Sequence, residues 1–162
     1  MQHRYELLLE KASLAGYDHY EISNFAKDRE HRSRHNVKYW TDLPYFGFGV
    51  SAHSYDGEQR YSNVKSTHDY INRISQGLDP SIEKSKLNDY DQAREAFMLQ
   101  LRMMDGVDRE SFSQAYNIDL VEEYKEELDR LVDAQLLEVN DKTVKLTKRG
   151  ILYSNEIFIL FV

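Results

Sequence analysis

The chain contains no cysteine. That excludes disulfides, thiolate zinc sites and any iron–sulfur cluster ligated from within these residues, and it agrees with a reducing cytoplasm. No apolar run approaches the length of a membrane span, and no signal peptide is read at the start. Proline occurs only at Pro44 and Pro80, and tryptophan only at Trp40. An excess of basic charge is also missing. The net charge is −7, which argues against a nucleic acid partner, because a phosphate backbone needs net positive protein surface. There is no P-loop, no G-x-S-x-G, no H-E-x-x-H and no dinucleotide fingerprint.

What is present fits a folded chain. Its 162 residues, 41% hydrophobic and 30% charged, suffice for one ordinary domain or two small ones. The charge is unevenly placed. Residues 1–55 carry seven basic and seven acidic side chains, leaving 14 and 21 for the remainder. Five of the six histidines, His3, His19, His31, His35 and His53, also fall in the first part. A neutral, histidine-rich region therefore precedes an acidic and strongly helical one.

Residues 4–15 have helical spacing in Tyr5, Leu8, Leu9 and Ala12, and Gly16 ends that helix. HYEISNF then predicts a strand, the β half of a β/α repeat. KDREHRSR predicts a charged loop, and HNVKYW a short helix before Pro44. YFGFGVSAHSY predicts a second strand. Its alternation would put Gly47, Gly49, Ser51 and His53 on one face, leaving volume for a guest or for a neighbouring backbone. RYSNV reads as an edge strand, THDYINRISQGL as a helix ended by Gly77, and residues 78–88 as a linker.

The second half predicts a helix over Asp89–Met104 with Tyr90, Phe97, Leu101 and Met104 on one stripe. A short helix, RESFSQAY, follows. Leu120–Gln135 predicts an amphipathic helix with Leu120, Tyr124, Leu128, Leu131 and Val132 inside. LLEVNDKTVKL alternates about Asn140-Asp141 as a β-hairpin, and Thr147 can cap a last helix. Three helices, a hairpin and a closing helix suggest a winged-helix-like module.

RHNVKYW is the densest cluster. Helical spacing puts His35 over Tyr39 and Asn36 over Trp40. An imidazole beside aromatic rings can ligate a metal or haem iron, or stack on a planar ligand. The same residues also fit a tryptophan that plugs a core and a histidine bonded to backbone. Arg29, Arg32, Arg34 and Lys38 lie near in sequence and could pair with carboxylates.

Taken in series, YEISNFAK, RHNVKYW, GFGVSAHSY, FMLQLRMMDGVDRESF and LTKRGILYSNEIF resemble the radical-SAM family of oxygen-independent coproporphyrinogen III oxidases. The HN-x-x-YW run and the AHSY ending resemble its haem-chaperone branch. The resemblance implies the last β/α units of an incomplete barrel in residues 1–65 and a helical, winged-helix-like C-terminal domain in residues 66–162. It implies haem at His35, Asn36, Tyr39 and Trp40, with His35 the axial ligand to the iron and Arg32 or Arg34 near the propionates. Gly47, Gly49, Ser51 and His53 would face the barrel interior.

The family's [4Fe–4S] cluster and S-adenosylmethionine require cysteines that this chain lacks, so they are expected of a longer parent only, and this part is not expected to be catalytic. The partners implied are haem or a porphyrinogen, in the cytoplasm. Two other readings stay open: a parent that decarboxylates coproporphyrinogen III, or a protein-interaction module in residues 86–162.

Overall fold

A computed structural model describes residues 2–161. They form two compact units, each taken here by itself: residues up to Thr41 together with those from Asp89 on, and residues Asp42–Asn88. These units do not follow the expected division at 65/66.

The first unit opens with helix α1, Gln2–Leu14. Gly16, at φ +77°, turns the chain out of it, and the Tyr17 N–H donates to the Ala12 carbonyl at 2.9 Å. Such a left-handed position suits glycine. HYEISNF then departs from expectation. It is not one strand but a hairpin, β1 (Asp18–Glu21) and β2 (Asn24–Ala26), turning at Ile22-Ser23. At the reversal the Asn24 amide donates to the Glu21 carboxylate. The outer edge of β1 is paired from far along the chain: Ile22 N–H donates to Arg102 O, and Met104 N–H to Tyr20 O, both at 3.0 Å. After a 3-10 turn at Arg29–His31, capped by Asp28, comes α2, Arg34–Trp40.

The unit resumes with α4, Asp89–Gln100. This helix stops four residues short of the expected Met104, because the chain turns there to pair with β1. Tyr90, expected on the buried stripe, is exposed, whereas Phe97 and Leu101 are fully buried. The succession is then β6 (Val107–Asp108), α5 (Arg109–Tyr116), α6 (Leu120–Glu123) and α7 (Lys125–Asp133). The expected single helix is interrupted at Tyr124, yet Leu128 N–H still reaches Tyr124 O at 2.8 Å. The stripe Leu120, Tyr124, Leu128, Leu131 therefore stays buried, while Val132 lies outside it, exposed. The predicted hairpin is present as β7 (Leu137–Val139) and β8 (Thr143–Leu146), and β6 adds to the free edge of β8. Thr147 accepts from Gly150 N–H to start α8 (Lys148–Leu152), and α9 (Ser154–Ile159) closes the unit.

Phe97 is the centre of this core. Its ring stacks on Tyr124 at 5.3 Å and meets Phe112 and Phe161 edge to face. Truncating such a ring to alanine costs about 3–5 kcal/mol.

The second unit is a three-stranded sheet, β3 (His53–Tyr55), β4 (Gln59–Asn63) and β5 (Ser81–Lys86), with α3 (Thr67–Ser75) between the last two. The expected edge strand is thus the central one, and the expected linker contains a strand. SIEKSK has one apolar residue and two lysines, a composition that suits an exposed sheet edge and hides its strand character. Every strand pairing among the described residues is antiparallel.

Candidate functional site

Helix α2 has only seven residues, and an isolated helix of that length is marginal in water. Two features hold it. At its start the Ser33 hydroxyl accepts from Asn36 N–H at 3.3 Å, so Ser33 is the N-cap. At its end Val37 and Trp40 pack into a small cluster with Tyr20, Ala26 and Met103. These two residues define the inner face.

The opposite face carries His35, Lys38 and Tyr39. The rings of His35 and Tyr39 meet edge to face, 5.0 Å between centroids and 80° between planes, as the one-turn spacing predicts. The Lys38 ammonium lies 5.5 Å over the Tyr39 ring. His35 is exposed, and no hydrogen bond engages its imidazole among the described residues. Either ring nitrogen can therefore turn to an outside partner. Trp40 is different. The Arg102 guanidinium lies 4.2 Å from its ring centroid, so the tryptophan faces inward and one face of its ring is covered.

The arginines divide likewise. Arg32 donates to Asp18 at 2.8 Å and to Asp105 at 3.0 Å, and its guanidinium sits 5.4 Å over the Tyr20 ring. These aspartates raise its pKa against the opposing effect of burial. It braces the loop. Arg34, in the first turn of α2, is exposed.

In the second unit, Gly47, Gly49, Ser51 and His53 do not share a strand face. Residues 46–52 loop out between Tyr45 and Tyr55, which pair directly. Gly49 and Ser51 have left-handed φ of +102° and +57°, and His53 is exposed. Gly47 is required by close approach: a Cβ there would lie 2.9 Å from the Ala52 Cβ and still nearer the His53 carbonyl oxygen. Buried Asn63 holds the loop by donating to the carbonyls of Gly47 at 3.2 Å and Gly49 at 2.8 Å. The Gly49 N–H donates to the Tyr70 hydroxyl at 3.0 Å. The alternation that suggested a cavity is thus a clasped turn.

Clefts of the first unit include one of about 640 Å³ among Glu6, Leu9, Tyr17, His19, Phe25 and Ile151 and one of about 390 Å³ by Tyr5 and Tyr153. None of the residues predicted for haem lines either. Among the described residues no three His, Asp or Glu side chains converge on a metal position, and no helix is long and apolar enough to cross a membrane. Glu21, a carboxylate inside a strand-like run, is fully buried. For Arg102 the only local signal is a lone arginine inside the apolar FMLQLRMM.

Residues 87–153 match the family model described as the HemN C-terminal domain. The heme chaperone HemW of Bacillus subtilis is 35% identical over 158 residues, covering 98% of this chain and 41% of that protein. That of Lactococcus lactis is 29% identical over the same shares. The solved structure of Escherichia coli coproporphyrinogen III oxidase (HemN), described as a radical SAM enzyme, superposes with a TM-score of 0.72 at 19% identity, covering 97% of this chain and 39% of that one. The chain thus matches the C-terminal part of these heme chaperones, spanning about two fifths of their length, and the resemblance read from its motifs is borne out.

Proposed function

We propose that this chain supplies haem-holding elements of a cytoplasmic haem chaperone, with His35 offered to the iron from the outer face of α2. The observation that carries this reading is the exposed, unbonded imidazole set against Tyr39, in a chain whose relatives are named heme chaperones. Haem fits the donor set. A neutral imidazole is a good ligand for haem iron, and Tyr39 offers an aromatic edge to the macrocycle. Arg34 can reach a propionate, while Arg32 is committed to Asp18 and Asp105. Trp40 serves from beneath, anchoring the helix.

A single imidazole on an open helix face encloses nothing. That suits a carrier that must release its cargo, since exposed ligation leaves the other face of the macrocycle to a recipient. A [4Fe–4S] cluster finds no ligand here, because the chain has no cysteine. We therefore assign cluster and S-adenosylmethionine chemistry to a longer parent, in which residues 1–65 would complete a β/α barrel.

From Asp89 to Leu146 the order helix, strand, three helical segments, hairpin supports a winged-helix-like reading of this part. Its α6–α7 surface exposes Glu122, Glu123, Glu126 and Asp129, which suits a basic protein partner and not DNA.

Haem titration followed at the Soret band tests the reading. His35→Ala is expected to lose the imidazole-ligated spectrum and to weaken binding tenfold or more, about 1.4 kcal/mol. Equal affinity with an unchanged spectrum would remove His35 from the iron.

A further inference from the structure

Arg102 lies in the turn after α4, with its backbone fixed. Its carbonyl accepts from Ile22 N–H, and two residues on Met104 N–H donates to Tyr20 O. The side chain thus starts from a set point on the hairpin edge. Its guanidinium runs between two rings, 4.2 Å from the centroid of Trp40 and 5.6 Å from that of Phe158.

The surroundings are unusual for an arginine. Its Nε, the indole Nε1 of Trp40 and one carboxylate oxygen of Glu21 are all buried without a hydrogen-bond partner among the described residues. Glu21 is fully buried, its other oxygen taken by Asn24. Burial lowers the pKa of Arg102, and the charge of Glu21 opposes that shift. With its Nε unpaired, this half-buried side chain is placed by the ring contact more than by hydrogen bonds, and a partly desolvated cation on an indole face is a favourable one.

We propose that Arg102 is a positioning residue: stacked on Trp40, it holds α2 against the hairpin and so sets the attitude of the His35–Tyr39 face. The haem part of this inference rests on the function proposed above. The hold on the helix does not.

The tryptophan is the chain's only one, so its fluorescence reads the contact directly. In Arg102→Met, which keeps bulk and removes the planar cation, the emission of Trp40 should shift. Amide hydrogen exchange at Val37–Thr41 should quicken about tenfold, while amides of α5 and α7 keep their rates. Arg102→Lys should restore part of the protection. In a Trp40→Phe background the same Arg102→Met change should have a smaller effect on exchange in α2. Unchanged emission with unchanged α2 exchange would overturn the proposal, as would equal quickening throughout the unit.

Haem dissociation is the second readout, expected several-fold faster in Arg102→Met with the imidazole-ligated spectrum kept. If wild type binds no haem, the functional reading falls and the exchange data alone decide the positioning role.

Discussion

His35 and Tyr39 stand one helical turn apart on the outer face of α2, ring edge to ring face at 5.0 Å, while Trp40 of the same helix turns inward beneath Arg102. A seven-residue helix thereby presents one chemistry outward and is fastened by another. Under the proposed function, in which the phenol would support the macrocycle without reaching the iron, Tyr39→Ala should weaken haem binding less than His35→Ala and leave the ligand spectrum unchanged. Parallel Soret titrations of the two variants check the order.

Ser33→Ala removes the side chain that accepts from Asn36 N–H. Loss of such a cap costs about 1 kcal/mol. Since α2 carries the proposed ligand, the variant should show faster exchange in α2 together with a small drop in the urea midpoint.

Asn63→Leu should destabilise the second unit. The buried amide is replaced by an apolar group of similar size, leaving the Gly47 and Gly49 carbonyls without this donor. Each hydrogen bond lost costs about 0.5–1.5 kcal/mol. Asn63→Asp should be worse, because a carboxylate would face two carbonyl oxygens. Urea unfolding of both variants, read by exchange over residues 45–63, ranks them.

Burial, assisted by Tyr90 and Glu123, pushes the Tyr124 hydroxyl up to about 12 from an ordinary 10. The sign follows from which state ionises first. Below pH 10 the phenol is neutral in both states and the folded form keeps its full advantage. Between pH 10 and 12 the unfolded chain loses the proton first, so stability falls as pH rises through that window. Tyr124→Phe should flatten this part of the stability profile. Among the described residues the hydroxyl is buried without a hydrogen-bond partner, so the variant should be no less stable than wild type at pH 7. Thermal unfolding across pH 7–12 tests both statements.

The elements legible in the sequence are those whose signals are local. Gly16 ends α1, Asn140-Asp141 turns the last hairpin, Thr147 caps α8, and the His35–Tyr39 spacing places two rings together. The misread elements depend on distant partners. HYEISNF folds back because its edge is paired by residues 102–104, far along the chain. YFGFGVSAHSY loops because Asn63 and Tyr70 hold its glycines. For the same reason Arg32 passed for a free cation: its carboxylates lie 14 and 73 residues away.

The pairing of β1 with residues 102–104 also orders events in time. While the chain is being made, Tyr20 and Trp40 emerge long before Arg102 and Met103, which complete their surroundings. At about 5–20 residues per second, residues 42–88 can pair among themselves during that interval. The first unit can close only afterwards, so the proposed haem ligand would be positioned last, when the C-terminal half arrives to fasten its helix.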